Sequence, residues 1–342
     1  MASDSSALVS IVVVAHDDWP HLEVAVESAL SQSYKPVEVI VVDNDSSDET
    51  AAEIPARFGD RVAYCRQPNR FDGGGRNAGF ELASGAVVQF LDGDDFLAPD
   101  KIEKQMSLFD SDSEVDIVYG DYRAFGSATV EFEDGTNRDH ADLLLALLTP
   151  EGNGAGLVVH SALFRRRALE RIGSWDETIP TSDQDYWLRA AAAGCRFRYC
   201  PGSLCFYRRR SGQMSSRRFP MLRDMETTWG KAMGYITDEP YRSILSARLA
   251  RLRFVLAIAR ERTGRRDSLA ELQLARETSP ESVSRLALTL GALLIAVPGG
   301  SKLARARTIR PLRRLGGRLL GLEDSRLGGS RSTGNAKSAR SA

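Results

Sequence analysis

The chain has 342 residues, 45 of them basic and 46 acidic, a formal net charge of −1 and 42% hydrophobic residues. That length suits one large α/β domain with appendages, or two domains, and because basic residues gather from about residue 301 onward and leave the rest acidic, nucleic acid is not the expected partner of the main body. The cysteines (Cys65, Cys195, Cys200, Cys205) lack CxxC spacing and histidine is scarce, so neither a zinc site nor a disulfide framework is expected, and a reducing cytosolic compartment is.

Residues 1–7 read as a disordered start, since Asp4 stands where a signal peptide carries positive charge. Residues 8–15 (LVSIVVVA) and 37–43 (VEVIVVD) are β-branched runs too continuous for a strand with one wet face, and predict central strands of a mostly parallel sheet. Between them Leu22, Val26, Ala29 and Leu30 fall at helical spacing, completing a βαβ unit. Residues 86–92 (AVVQFLD) read as a later strand of the same sheet. These strands end in His16 and Asp17, in Asp43, and in Asp92 and Asp94. Open α/β sheets bind ligands at the carboxyl ends of their strands, so a crevice is expected there.

The stretch FLDGDD (90–95) crowds Asp92, Asp94 and Asp95 around Gly93. Like charges this close repel unless a cation or water lies among them, and aspartate oxygens suit Mg²⁺ and Mn²⁺. A solvated turn capping the next helix is the other reading. Downstream, residues 100–109 predict a helix with Ile102, Met106 and Phe109 on one face, 115–125 a strand, and 141–148 another helix. Residues 156–173 lead into a second acidic region at 175–194, and 197–210 (FRYCPGSLCFYRRR) read as edge strands with a turn at Pro201 and Gly202.

Strand signals stop after about residue 213. Residues 243–260 place Leu245, Leu249, Leu252, Leu256 and Ala259 on one helical face. Residues 286–297 are apolar but short of the roughly 20 needed to span a bilayer, and 310–322 interleave arginines with Leu312, Leu315, Leu319 and Leu322 before a Ser/Gly/Arg tail (323–342) expected to be disordered. This basic amphipathic end suits an anionic membrane surface, or else a helical hairpin packed on the body.

In order along the chain, VSIVVVAHDD, VEVIVVDNDSSDET, GGGRNAGFELASGAVVQFLDGDD and SDQDYWLRAAAAG resemble the family 2 glycosyltransferases. The resemblance covers roughly residues 8–215 and implies an α/β, Rossmann-like GT-A fold with helices on both faces of the sheet and a C-terminal helical extension (216–322). It implies a donor half (8–100) that binds a nucleotide sugar, UDP-linked in the first instance, and an acceptor half (101–215). By position, Asp43 would accept from the base, with Ala15, His16 and Asp17 beside it and His16 able to stack. Asp94 would ligate Mn²⁺ or Mg²⁺, Asp92 would reach the ribose or the metal's water shell, and Asp95 would stand behind them or cap the helix.

Gly73, Gly75 and Ala78 formally satisfy a dinucleotide-binding GxGxxA, but loop chemistry precedes them where that fingerprint requires a strand. The resemblance instead has these glycines pass close to the donor, Arg76 touch the nucleotide or hold the aspartates together, and Asn77 cap a helix. Asp183 is the implied base for inverting transfer, Asp185 its rival, and both could instead cap a helix near Tyr186. Ser182 stands where the family has glutamate. Trp175, Asp176 and Glu177, with 152–156 (GNGAG) near them, would face the acceptor. Arg210 replaces a family histidine, and Arg208 or Arg210 would close over the diphosphate.

The implied activity is metal-dependent inverting transfer onto a glycan or lipid-linked acceptor in polysaccharide, glycolipid or cell-wall polymer synthesis, at the inner face of a membrane. A noncatalytic nucleotide-sugar sensor on the same fold is the alternative, though such a binder has no need of Asp183.

Overall fold

The computed structural model describes residues 7–126, 133–135, 138–149, 157–210, 218–259 and 265–279. Its strands are β1 (Val9–Ala15), β2 (Val37–Asp43), β3 (Ala63–Arg66), β4 (Val87–Asp92), β5 (Phe96–Leu97), β6 (Ile117–Phe125), β7 (Glu133–Gly135), β8 (Ala162–Arg165) and β9 (Phe197–Arg208). They form one sheet in the order β3-β2-β1-β4-β8-β6-β9-β5, with β7 on β6. The N-terminal half, β3-β2-β1-β4, is wholly parallel. Beyond β4 the sheet is mixed, for β8 runs antiparallel to both β4 and β6, and β9 is parallel to β6.

The helices of this N-terminal half are α1 (His21–Leu30), α2 (Thr50–Phe58) and α3 (Phe71–Leu82). The second half adds α4 (Lys101–Ser111), α5 (Leu143–Leu148), α6 (Arg166–Ile172) and α7 (Asp183–Ala192). After the sheet come α8 (Arg218–Ala232), α9 (Tyr241–Ala259) and α10 (Arg265–Thr278).

Strand β1 is buried along its whole length, as its unbroken β-branched run requires. Alternation along the strand then sorts its side chains into two cores. Val12 and Val14 join Phe90, Phe164, Trp175 and Trp187 on one face, while Ile11 and Val13 join Leu22, Val26, Ile54 and Met106 on the other. Register sets the site: Ala15 lies opposite Asp43, and Val14 opposite Asp92, so the tips of β2, β1 and β4 end level.

Two local expectations are corrected. Residues 197–208 form one strand with a bulge, not two edge strands. The pairing with β6 jumps between Tyr119 and Asp121, and Asp121 holds the excursion by accepting from the Tyr199 hydroxyl at 2.8 Å and the Gly202 amide at 3.0 Å. The glycines of α3 serve helix packing rather than donor approach. A Cβ at Gly75 would lie 2.4 Å from Val14, one at Gly79 2.1 Å from Val12, and one at Gly73 2.6 Å from the Asp176 carbonyl.

The C-terminal helices pack on the body. Leu222 and Trp229 of α8 and Leu245, Leu249, Leu252 and Leu256 of α9 belong to the same core as Phe164 and Trp187. Thr181 donates to Asp224 at 2.8 Å, and Tyr241 to Asp142 at 2.7 Å. Among the described residues no helix is long and apolar enough to cross a membrane. The segments 286–297 and 310–322, on which the membrane reading rests, lie outside the described residues, as do 1–6, 152–156, 211–217 and the tail.

Candidate active site

The level strand tips place Asp43 and Asp92 on one edge of the sheet, and α3 and α7 bring Arg76 and Asp183 over it. Arg76 is 1% exposed, and its guanidinium donates to Asp183 Oδ1 at 2.6 Å and to Asp92 Oδ1 at 2.8 Å. Beneath it lies the Trp175 ring, 4.7 Å away and itself stacked on Tyr186. Burial disfavours a charge on Arg76, but Asp183, Asp92 and Asp72 outweigh that and hold it firmly protonated. The same cation, with His160, overcomes burial at Asp92 and keeps that carboxyl well below its ordinary range.

Asp183 differs. Burial and the Asp92 charge raise its carboxyl above the usual value against the pull of Arg76, although the side chain is 41% exposed and solvent tempers the shift. It is therefore an open carboxylate, fixed by one bond and more basic than usual. Asp185 is only 2% exposed and pairs with Arg189 at 2.8 Å, so it supports the fold of α7 and has no free face toward an acceptor.

Around this pair lie acids that the sequence reading left out. Asp72 is pushed up to about 7 by burial and by Asp92, Asp183 and Asp18, in spite of Arg76. Asp18, 6% exposed, is raised to about 6 by burial and by Asp94. Arg210 bridges Asp18 to the DGD turn, contacting Asp18 Oδ1 and meeting Asp94 Oδ2 at 2.9 Å. Arg208 donates to the Asp94 carbonyl at 2.9 Å, and its backbone amide to Asp95 at 2.6 Å. Gly93 lets the turn pass here, since a Cβ would stand 2.8 Å from Asp18 Oδ2.

A divalent cation fits this chain's residues, with a different set from the expected Asp92 and Asp94. Asp92, Asp95 and His160 each offer a ligand atom within 4.8 Å of the others. Asp95 Oδ2 and both ring nitrogens of His160 are buried without a hydrogen-bond partner, although Nδ1 and Oδ2 are 3.2 Å apart. Oxygen and imidazole donors suit Mn²⁺. Asp94 stands outside this group, its carboxylate taken by Arg210. Asp95 does not cap α4, because it is 1% exposed and turned toward His160 and Arg208.

A buried polar network sets the height of His160. Gln89 donates to the His160 carbonyl at 3.1 Å, Gln105 to the Ser161 carbonyl at 2.8 Å, and Lys101, 0% exposed, donates to both glutamines. Burial lowers the Lys101 ammonium to about 7. Scarcity of histidine was the one sequence signal that could have singled out His160.

On the base side, Asp43 is fully buried, and its oxygens accept from the Ser46 amide at 2.8 Å and the Tyr64 hydroxyl at 2.7 Å. A base would share a carboxylate already engaged by protein. The half-exposed His16 ring meets the Asn44 carbonyl at 2.9 Å through Nδ1, and the Ala15 carbonyl accepts from the Asn44 amide at 2.8 Å. Asp17 turns to Ser47, whose amide at 2.6 Å helps hold its carboxyl low.

Of the residues expected to face an acceptor, Trp175 is 3% exposed and serves as a floor under Arg76. Asp176 pairs with Lys231 of α8, and Glu177 with Arg70 at 3.0 Å. Asn77 is corrected from helix cap to clamp: from the middle of α3 it donates to the Trp175 carbonyl at 3.0 Å and to Glu177 at 2.9 Å, and accepts from the Trp175 amide at 2.8 Å.

The family model for glycosyl transferase family 2 matches residues 10–173. An uncharacterized glycosyltransferase of Rickettsia prowazekii is 31% identical over 192 residues, covering 54% of this chain and 58% of that protein, so the chain spans a little over half of that relative. The Escherichia coli protein WfaP, named as a UDP-Glc:α-D-GlcNAc-diphosphoundecaprenol β-1,3-glucosyltransferase, is 29% identical over 221 residues, covering 63% of this chain and 82% of its own. In fold the chain resembles TarS 1–349 of S. aureus, crystallised with UDP-GlcNAc (TM-score 0.62, 16% identity, 90% and 92% of the two chains). It also resembles the mannosyltransferase PcManGT of Pyrobaculum calidifontis, solved with GDP-Man and Mn²⁺ (TM-score 0.55, 20% identity, 95% and 90%). Two strand tips of this GT-A sheet carry Asp43 and Asp92, α7 brings Asp183 onto Arg76, and the family model identifies residues 10–173 of the chain as a glycosyl transferase family 2 domain.

Proposed function

We propose that the chain is a metal-dependent inverting glycosyltransferase that moves a sugar from a UDP-linked donor to a glycan or lipid-linked acceptor. The observation that carries this is the buried Arg76, which holds Asp92 of the donor half and Asp183 of the acceptor half on one guanidinium. A nucleotide-sugar sensor has no use for an open, raised carboxylate at that point. The name of WfaP supports both a UDP donor and a diphospholipid-linked acceptor.

In this reading Asp183 takes the proton of the acceptor hydroxyl as that oxygen attacks the anomeric carbon from the face opposite the leaving diphosphate. Arg76 orients the base and, through Asp92, ties it to the donor side. Asp92, Asp95 and His160 would hold Mn²⁺ or Mg²⁺, with Asp94 beside them. When bound, the cation neutralises charge accumulating on the departing nucleoside diphosphate. Arg208 and Arg210, which already reach across the DGD turn, supply further positive charge to the diphosphate. Asp43, Ala15, His16 and Asp17 frame the base.

A thermal-shift panel of UDP-, dTDP- and GDP-sugars with and without Mn²⁺ tests the donor, and metal-dependent stabilisation by UDP-sugars is expected. Stabilisation by none of them would sink the assignment. Asp183→Asn is expected to keep donor affinity within about twofold while transfer falls on the order of 10²–10⁴-fold. Transfer at wild-type rate by this variant would remove Asp183 as base.

A further inference from the structure

Phe71 opens α3 with φ of +56°, and for a bulky residue this left-handed conformation is a true outlier. The other non-glycine residues with positive φ, Asp17 and Asp45, are of a type that tolerates it. Phe71 is also 40% exposed as a residue. Strain and exposed apolar surface both oppose folding of the free protein, and such outliers gather at ligand sites when the surroundings over-determine them.

The surroundings here do so. The Phe71 amide donates to Asn69 Oδ1 and its carbonyl accepts from Asn44 Nδ2, both at 2.9 Å. Asn44 in turn receives the His16 ring on its carbonyl at 2.9 Å and gives its amide to Ala15 at 2.8 Å. One asparagine thus ties Phe71 to the tips of β1 and β2, next to Asp43. The close packing of Gly75 and Gly79 on Val14 and Val12 keeps α3 from shifting to relieve the strain.

We infer that Phe71 stacks on the nucleobase of the donor and is a determinant of nucleotide affinity. The inference rests on the donor-site reading given under Proposed function. An aromatic face at this point matches the π face of a base. Because every base has such a face, the ring adds affinity, while discrimination among bases falls to polar groups near Asp43.

The test uses the full chain and free UDP, titrated calorimetrically in the presence of Mn²⁺, with Phe71→Gly and Phe71→Trp. Glycine accepts the backbone conformation, so Phe71→Gly should melt at or above the wild-type temperature yet bind UDP about tenfold more weakly, the scale of base–aromatic stacking. Phe71→Trp should bind within about threefold of wild type, its new indole quenched by UDP. Equal UDP affinity in wild type and Phe71→Gly overturns the proposal and leaves the donor site standing. Weaker binding with a lower melting temperature in Phe71→Gly, and no rescue by Phe71→Trp, assigns Phe71 to the fold and also overturns it. If wild type binds none of UDP, dTDP and GDP, the donor reading falls and this inference falls with it.

Discussion

At the scale of single residues the crevice is defined by acids that outnumber their cations. Asp18 and Asp72 keep protons to about pH 6 and 7 in the folded chain, against an ordinary value near 4 when unfolded. The folded state therefore binds more protons than the unfolded one across that window, and stability falls as pH rises through it. Replacing Asp72 by Asn removes one of the crowded charges. Thermal melts should show Asp72→Asn more stable than wild type at pH 7.5, by about 1 kcal/mol, with the gain gone at pH 4, where wild type is protonated too. An equal gain at both values would mean that charge is not the cause. Asp92, Asp94 and Asp183 could be read from the sequence because each lies at a strand tip or helix start within a recognisable motif. Asp18 obeyed the same strand-tip rule and was passed over in favour of its neighbours. His160 stood out only as one of four histidines, since it sits on a short turn between β6 and β8 and owes its place to Gln89, Lys101 and Gln105, contacts that no local pattern encodes.

At the scale of elements, α3 and α7 show what periodicity reveals and what it hides. Residues two apart on a helix point about 200° apart, so only one of Asp183 and Asp185 can face the crevice from the first turn of α7. Position before the aromatic-Leu-Arg stretch left both open, and of the two it is Asp183 that reaches Arg76 while Asp185 is buried against Arg189. The glycines of α3 lie inside a helix, where glycine costs stability, and a sequence reader naturally assigns them to a ligand. Their reason is the depth of contact with β1, a tertiary fact. Gly79→Ala would force a methyl group to within 2.1 Å of Val12, and urea unfolding should show a loss of about 1–3 kcal/mol from overpacking, in spite of alanine's better helix propensity. A gain in stability would show that α3 has room to move. Asn77 was misjudged for a related reason: its partners lie in the 175–177 segment, on the far side of the chain.

At the scale of the whole molecule, the parallel N-terminal half was legible because strands buried on both faces carry an unmistakable run of β-branched residues. The mixed half was less so, its strands being short, bulged or interrupted by polar turns. The boundary expected near residue 215 is a boundary in strand content and not in packing, since α8 and α9 complete the core that holds Trp175, Trp187 and Phe164. A chain cut after residue 215 should aggregate or melt far below wild type, whereas one cut after residue 280 should keep a cooperative melt. Sedimentation of the longer truncation and the full chain with anionic liposomes then tests the basic C-terminal segment, and equal binding would remove its membrane role. The two halves meet over the crevice at one buried guanidinium. Whatever draws Asp92 toward a donor changes how firmly Arg76 grips Asp183, and neutralising Asp92 also lowers the proton affinity of the base. In the proposed reading Asp183 is therefore most basic while Asp92 keeps its charge, so the two halves answer to one another through a single side chain and neither can be retuned alone.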